Sequence, residues 1–126
     1  MDRIYLTLDD VLWIHEDQLR RYGSASGVRD EGLTLSALLR PQTGYYADVI
    51  EEAAALWESL MMNHGFIDGN KRVAFASTVI FLNANGATPM GAEEDWITFI
   101  CSNIEAGRFR KPVVEDWLMR HAELSR

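Results

Sequence analysis

The stretch His64-Gly65-Phe66-Ile67-Asp68-Gly69-Asn70-Lys71-Arg72 runs directly into Val73-Ala74-Phe75-Ala76-Ser77-Thr78-Val79-Ile80-Phe81-Leu82. The second half reads as a helix with apolar residues on nearly every side, the pattern expected of a buried central helix. The first half is a glycine-containing turn that gathers an imidazole, a carboxylate, a carboxamide, an ammonium and a guanidinium. A helix start carries unpaired N–H groups and the positive end of the dipole, so it is a natural seat for phosphate.

Outward from this helix the chain reads as more helices. Thr7, with Asp10 three residues on, predicts a capped start; Val11, Leu12, Ile14, Leu19 and His15 then keep helical spacing as far as Gly23. Residues 23–29 form a loop. Asp30 caps a second helix through Leu33, Leu35, Leu38 and Leu39, stopped by Pro41. Pro41 to Tyr46 reads as an exposed loop or short hairpin. A third helix covers about 48–63, with Ala53, Leu56, Trp57, Leu60 and Met61 inward. The fourth runs from near Asn70 to Asn83-Ala84-Asn85-Gly86, a fifth over 93–106 is closed by Gly107, and a sixth has Pro112 in its first turn. Only Arg3 to Leu8 shows strand-like alternation. The reading is all-α: a single domain over residues 1–126, about six helices around a central buried one.

Composition narrows the function classes. With 48% hydrophobic and 25% charged residues the balance is globular, and 126 residues can bury a sizeable core. A net charge of −7 disfavours broad nucleic-acid binding, while leaving room for a small anion pocket. Residues 1–10 lack the apolar core of a signal peptide, and no apolar run reaches membrane-span length, so a cytoplasmic protein is expected. Cys101 lies among Trp96, Ile97, Phe99, Ile100 and Ile104 and reads as a small core residue.

Taken singly, Asp68-Gly69 is a turn, Asn70 a helix cap, Lys71 and Arg72 solvated surface and His64 a structural histidine. Their convergence suits phosphoryl or nucleotidyl transfer, which depends on positioning and on neutralising developing charge. Lys71, Arg72 and the N–H groups of residues 69–72 can neutralise phosphate oxygens. Asp68 supplies an oxygen ligand of the kind Mg2+ uses. His64 can take the proton of an attacking hydroxyl at neutral pH, and Gly69 admits positive φ and close approach of a phosphate. One cysteine and three histidines do not make a structural zinc site. A ribonuclease is disfavoured by the net charge, and a binding module without turnover stays open.

The string HGFIDGNKR resembles the signature of the Fic/Doc superfamily, and most closely its Doc (death-on-curing) branch. Fic enzymes carry His-Pro-Phe-x-Asp/Glu-Gly-Asn-Gly-Arg-x-x-Arg; this chain has Lys71 in place of the second glycine of that Gly-Asn-Gly, and Phe75 in place of the last arginine. The likeness extends to His15, Arg21-Tyr22-Gly23, Gly27-Val28-Arg29-Asp30, Gly32-Leu33, Ala37, Arg40-Pro41-Gln42, Phe81-Leu82 and Asn85-Gly86. Gly65 stands where many relatives have proline; a glycine loosens the loop and removes no chemical group.

The resemblance implies a compact Fic/Doc helical bundle and the toxin half of a type II toxin–antitoxin pair. Doc toxins transfer the γ-phosphate of ATP to a threonine of elongation factor Tu and arrest translation, whereas Fic enzymes transfer AMP to a hydroxyl. By the motif, His64 matches the general base and Asp68 the Mg2+-binding acid. Gly69, Asn70, Lys71 and Arg72 match the phosphate-holding turn, and Phe66 a buried anchor. Tyr45 and Tyr46 fall in the region that docks target peptide in Fic proteins. No self-blocking Ser/Thr-x-x-x-Glu-Gly/Asn element is found, so the implied control is a separate Phd-like antitoxin. An AMP transferase and a catalytically silent antitoxin-binding module are the alternatives.

Overall fold

Side-chain capping starts three of the helices. Thr7 accepts from the Asp10 amide while Asp10 accepts from the Thr7 amide, opening α1 (Leu8–Tyr22) with the expected reciprocal box. Asp30 caps α2 (Glu31–Leu39) through the Leu33 amide, and Asp48 caps α3 (Val49–Asn63) through that of Glu51. The α4 (Asn70–Ala84), α5 (Glu93–Glu105) and α6 (Lys111–His121) helices follow. The computed structural model describes residues 2–23 and 27–125; Ser24, Ala25 and Ser26 of the expected 23–29 loop lie outside the described residues.

The architecture is the all-α bundle expected, but its centre is α3. Eleven of α3's fifteen residues are buried, and it packs against α2, α4 and α6. The inner stripe from Ala53 to Met61 is as read from the sequence. By contrast α4 leaves Ile80 41% exposed and Phe75, Ala76 and Val79 half-buried. Its apolar side is wider than the core covers, and the surplus faces a groove against α5. Cys101 departs from expectation for the same reason: it is exposed, on the groove-facing side of α5 beside Ile97, while Trp96, Phe99 and Ile100 turn inward. In α2, Thr34, Ala37 and Leu38 are the buried face; Leu35 and Leu39, one turn apart on the opposite flank, are exposed.

Trp57 of α3 is the hub of the core. Its fully buried ring meets Phe109 edge-on at 5.3 Å and lies 5.9–6.1 Å from Phe75, Trp96 and Phe99. Such pairs add about 0.5–1.5 kcal/mol each beyond area burial. Polar ties surround this hub. Arg40 reaches Glu58 at 2.6 Å, Ser59 at 2.8 Å and the Tyr46 hydroxyl at 3.0 Å. Lys111 bridges Glu115 and Glu51, and the Glu115 contact, with Glu51 adding, raises its ammonium pKa against the lowering effect of burial.

The Pro41 to Tyr46 segment is a turn and not a hairpin. It begins with a 3-10 turn, Arg40–Thr43, in which Pro41 is buried, and Gly44 then takes a left-handed conformation. Residues 3–7 form no strand: the side chain of Asn85, the residue that caps α4, grips both the N–H and the C=O of Ile4. The strands are elsewhere. Ala87–Pro89 (β1) pairs antiparallel with Ala122–Leu124 (β2), tying the chain end to the end of α4. Three residues per strand are too few for alternation to register in the sequence.

Candidate functional site

The 64–72 turn joins the two most buried helices. Its first residue, His64, ends α3 in the left-handed region (φ 52°, ψ 50°), the one non-glycine with positive φ among the described residues. That conformation is uncommon outside glycine, and histidine is among the few side chains enriched in it. It turns the chain sharply and leaves the imidazole exposed.

Gly65 is buried and confined. A Cβ there would overlap Thr34 Oγ1 of α2, so the glycine is required by contact with α2 and does not serve to loosen the loop. Its carbonyl accepts from the amides of Arg29 and Asp30 at 2.9 and 3.0 Å, and the Ile67 amide donates to Gly27 at 3.2 Å. Residues 27–30 therefore brace the turn from outside, with Val28 bridged to Phe66.

Phe66 is the anchor expected, 3% exposed, its ring stacked on that of His15 at 4.0 Å. Asn70 closes the turn. Its Oδ1 accepts from the Phe66 amide at 3.1 Å and its Nδ2 donates to the Phe66 carbonyl at 3.0 Å. The carboxamide is thus committed to the backbone, and Gly69 takes the N-cap position at φ 79°, with no side-chain cap on α4. Asp68 is exposed, and its Oδ1 accepts from the Gly69 amide at 2.8 Å. Lys71 is exposed and Arg72 half-buried, its guanidinium 5.5 Å from the centre of the Tyr22 ring.

The turn therefore brings His64, Asp68, Gly69, Lys71 and Arg72 to one end of α4, with Phe66 and Asn70 as its internal supports. Tyr45 and Tyr46 separate: Tyr45 is 87% exposed, while Tyr46 is held by Arg40 and lies under the Lys111 ammonium at 5.2 Å. His15, 2% exposed on α1, touches the turn from beneath, and the signal for it was a histidine on an otherwise apolar helical face.

For Mg2+ the donor set is spare. Among the described residues no three His, Cys, Asp or Glu converge, so there is no protein cage. Mg2+ commonly keeps its waters and uses one or two carboxylates together with substrate phosphates. One exposed carboxylate beside an uncapped helix start fits that pattern, and Asp68 is the residue that would hold the ion.

The sequence model of the Fic/DOC family matches residues 5–82, from the extended N-terminal segment through the turn and most of α4. The chain belongs to the Fic/Doc family. It is similar to Toxin Doc of Mycolicibacterium smegmatis, 42% identical over 87 residues that span 65% of each chain. It is also 27% identical over 94 residues to the Protein kinase doc of Escherichia phage P1, covering 71% of this chain and 75% of that one. The match spans just under two thirds of the mycobacterial relative's length.

The clasp predicts a stability effect. Asn70→Ala leaves both backbone groups of Phe66 unpaired and is expected to cost about 1–3 kcal/mol in urea unfolding. Asn70→Asp, which keeps the acceptor and loses the donor, is expected to fall between it and the unaltered chain. Equal stability of all three would contradict the assigned clasp.

Proposed function

We propose that this chain is a Doc-like toxin kinase that transfers the γ-phosphate of ATP to a Ser or Thr hydroxyl of a cytoplasmic translation protein, with elongation factor Tu as the acceptor to test first. The observation that carries the choice over AMP transfer is the state of position 75. Where Fic enzymes place a second phosphate-binding arginine, Phe75 packs into the aromatic core, 6.1 Å from Trp57 and 5.8 Å from Trp96. Lys71, exposed next to Arg72 at the helix start, stands where Fic enzymes leave glycine-sized space. Both differences disfavour the Fic pose of the nucleotide and favour one that presents the γ-phosphate. The phage relative's name, Protein kinase doc, points the same way.

In this reading the acceptor oxygen attacks the γ-phosphorus, the bond from that phosphorus to the β,γ-bridging oxygen breaks, and ADP leaves. His64 takes the hydroxyl proton from its exposed position at the end of α3. Lys71, Arg72 and the amides of residues 69–72 hold the phosphate oxygens and offset the charge developing on them. Asp68 would hold Mg2+, which when bound neutralises charge shared between the β- and γ-phosphates.

A partner is proposed for the groove. It holds 690 Å³ between α4 and α5 and is lined by Phe75, Ile80, Ile97 and Cys101 among others, with Lys71 and Arg72 at its rim. An amphipathic helix of a Phd-like antitoxin fits such a surface, and one seated there would cover the anion turn. DNA contact is left to that partner, in keeping with the net charge of −7.

ATP labelled at either the α or the γ position, incubated with the protein and elongation factor Tu, is expected to give label from γ alone. His64→Ala should lower the rate about 100- to 10,000-fold. Label from α alone would replace the kinase reading by AMP transfer, and no label with either would favour the silent binding module. Ile97→Glu is expected to weaken capture of the cognate antitoxin at least about tenfold by calorimetry; unchanged affinity would move the antitoxin off this groove.

A further inference from the structure

α1 meets the turn through a side chain that the reaction outlined above does not use. His15 is buried at 2% exposure, its ring stacks on Phe66, and its Nε2 lies 3.1 Å from the Asp68 carbonyl oxygen. A carbonyl only accepts, so Nε2 carries a hydrogen and donates it. Cδ2 and Nε2 of the same ring also stand 3.9–4.0 Å from where a Cβ on Gly69 would lie. One imidazole thus contacts Phe66 and the Asp68 carbonyl and lies beside Gly69.

The peptide linking Asp68 to Gly69 is trans, so its C=O and N–H point in opposite directions. With the carbonyl drawn inward to α1, the Gly69 N–H is turned outward, where Asp68 Oδ1 accepts it at 2.8 Å. A single hydrogen bond from beneath therefore sets both the first amide of the anion turn and the carboxylate assigned to Mg2+. An anchor is needed here because glycine in the left-handed region (φ 79°) lets the peptide plane flip at little steric cost.

We infer that His15 is a positioning residue for the anion turn: its Nε2–H fixes the plane of the 68–69 peptide, so that the Gly69 N–H holds Asp68 Oδ1 and orients that carboxylate for Mg2+. The inference rests on the kinase reading for its consequence, and on the backbone alone for its structural content.

The test compares His15→Phe, which keeps the stack on Phe66 and loses the donor, with His15→Gln, which keeps a donor of similar reach, and His15→Asn, whose amide is too short. In the free protein the Gly69 amide is followed by 15N chemical shift and hydrogen exchange. His15→Phe and His15→Asn are expected to shift that resonance and speed its exchange about tenfold, and His15→Gln to return both toward the unaltered values. With Mg2+ and ATP, His15→Phe should raise the Mg2+ concentration needed for half-maximal ATP binding and lower kcat about 10- to 100-fold, with KM for the acceptor protein unchanged. A Gly69 amide that is the same in His15→Phe as in the unaltered chain overturns the inference. Should His15→Phe not fold, His15→Gln and His15→Asn perturbed alike overturn it. If the unaltered protein transfers no label from ATP, the kinase reading falls, and the Gly69 comparison still decides the role of His15.

Discussion

Asn70 spends its whole carboxamide on one residue, accepting from the Phe66 N–H and donating to the Phe66 C=O. Everything polar at the site hangs on that closure. It pulls the chain back over four residues, buries Phe66 against His15, and starts α4 at a glycine with no side-chain cap. The far end of α4 repeats the device, where Asn85 grips both backbone groups of Ile4. One helix is thus fastened at its two ends by asparagines that replace backbone pairing, and the N-terminal fastening also shapes the 64–72 turn. Buried backbone groups left unpaired cost more than a typical hydrogen bond contributes, so these clasps matter most where no strand or helix can take over.

The surroundings keep the turn stiff although it contains two glycines. Residues 27–30 brace it from outside through the Gly65 carbonyl, Thr34 leaves no room for a Cβ at Gly65, and His15 holds the Asp68 carbonyl from within. Preorganisation of this kind is what transfer of a phosphoryl group demands, since stabilising charge matters more there than covalent chemistry by the protein. His64, Asp68 and Lys71 are the exposed groups carried on this fixed base.

Much of this was legible in the sequence. Caps at Thr7 and Asp30, the inward stripe of α3 and the turn at 64–72 follow from local rules that the tertiary fold obeys. What escaped depends on which flank of an apolar helix finds a neighbour. Leu35, Leu39, Ile80, Ile97 and Cys101 all look internal by type, yet each faces solvent or the α4–α5 groove. Periodicity finds an apolar face but not how much of it the rest of the chain covers. An uncovered apolar face beside a functional turn is itself informative, because such surfaces mark interaction sites. The support roles of Asn70 and His15 were equally out of reach, since both rest on contacts with backbone and not on residue type.

The central claim is that the amides at the start of α4 receive phosphate. Titrating 15N-labelled protein with ATP and Mg2+ while following backbone amide shifts tests it most directly. The account predicts that Gly69, Asn70, Lys71 and Arg72 move first and furthest. Shifts confined to the hollow between α5 and α6 around Ser102, Asn103 and Trp117, with residues 69–72 unmoved, would contradict it.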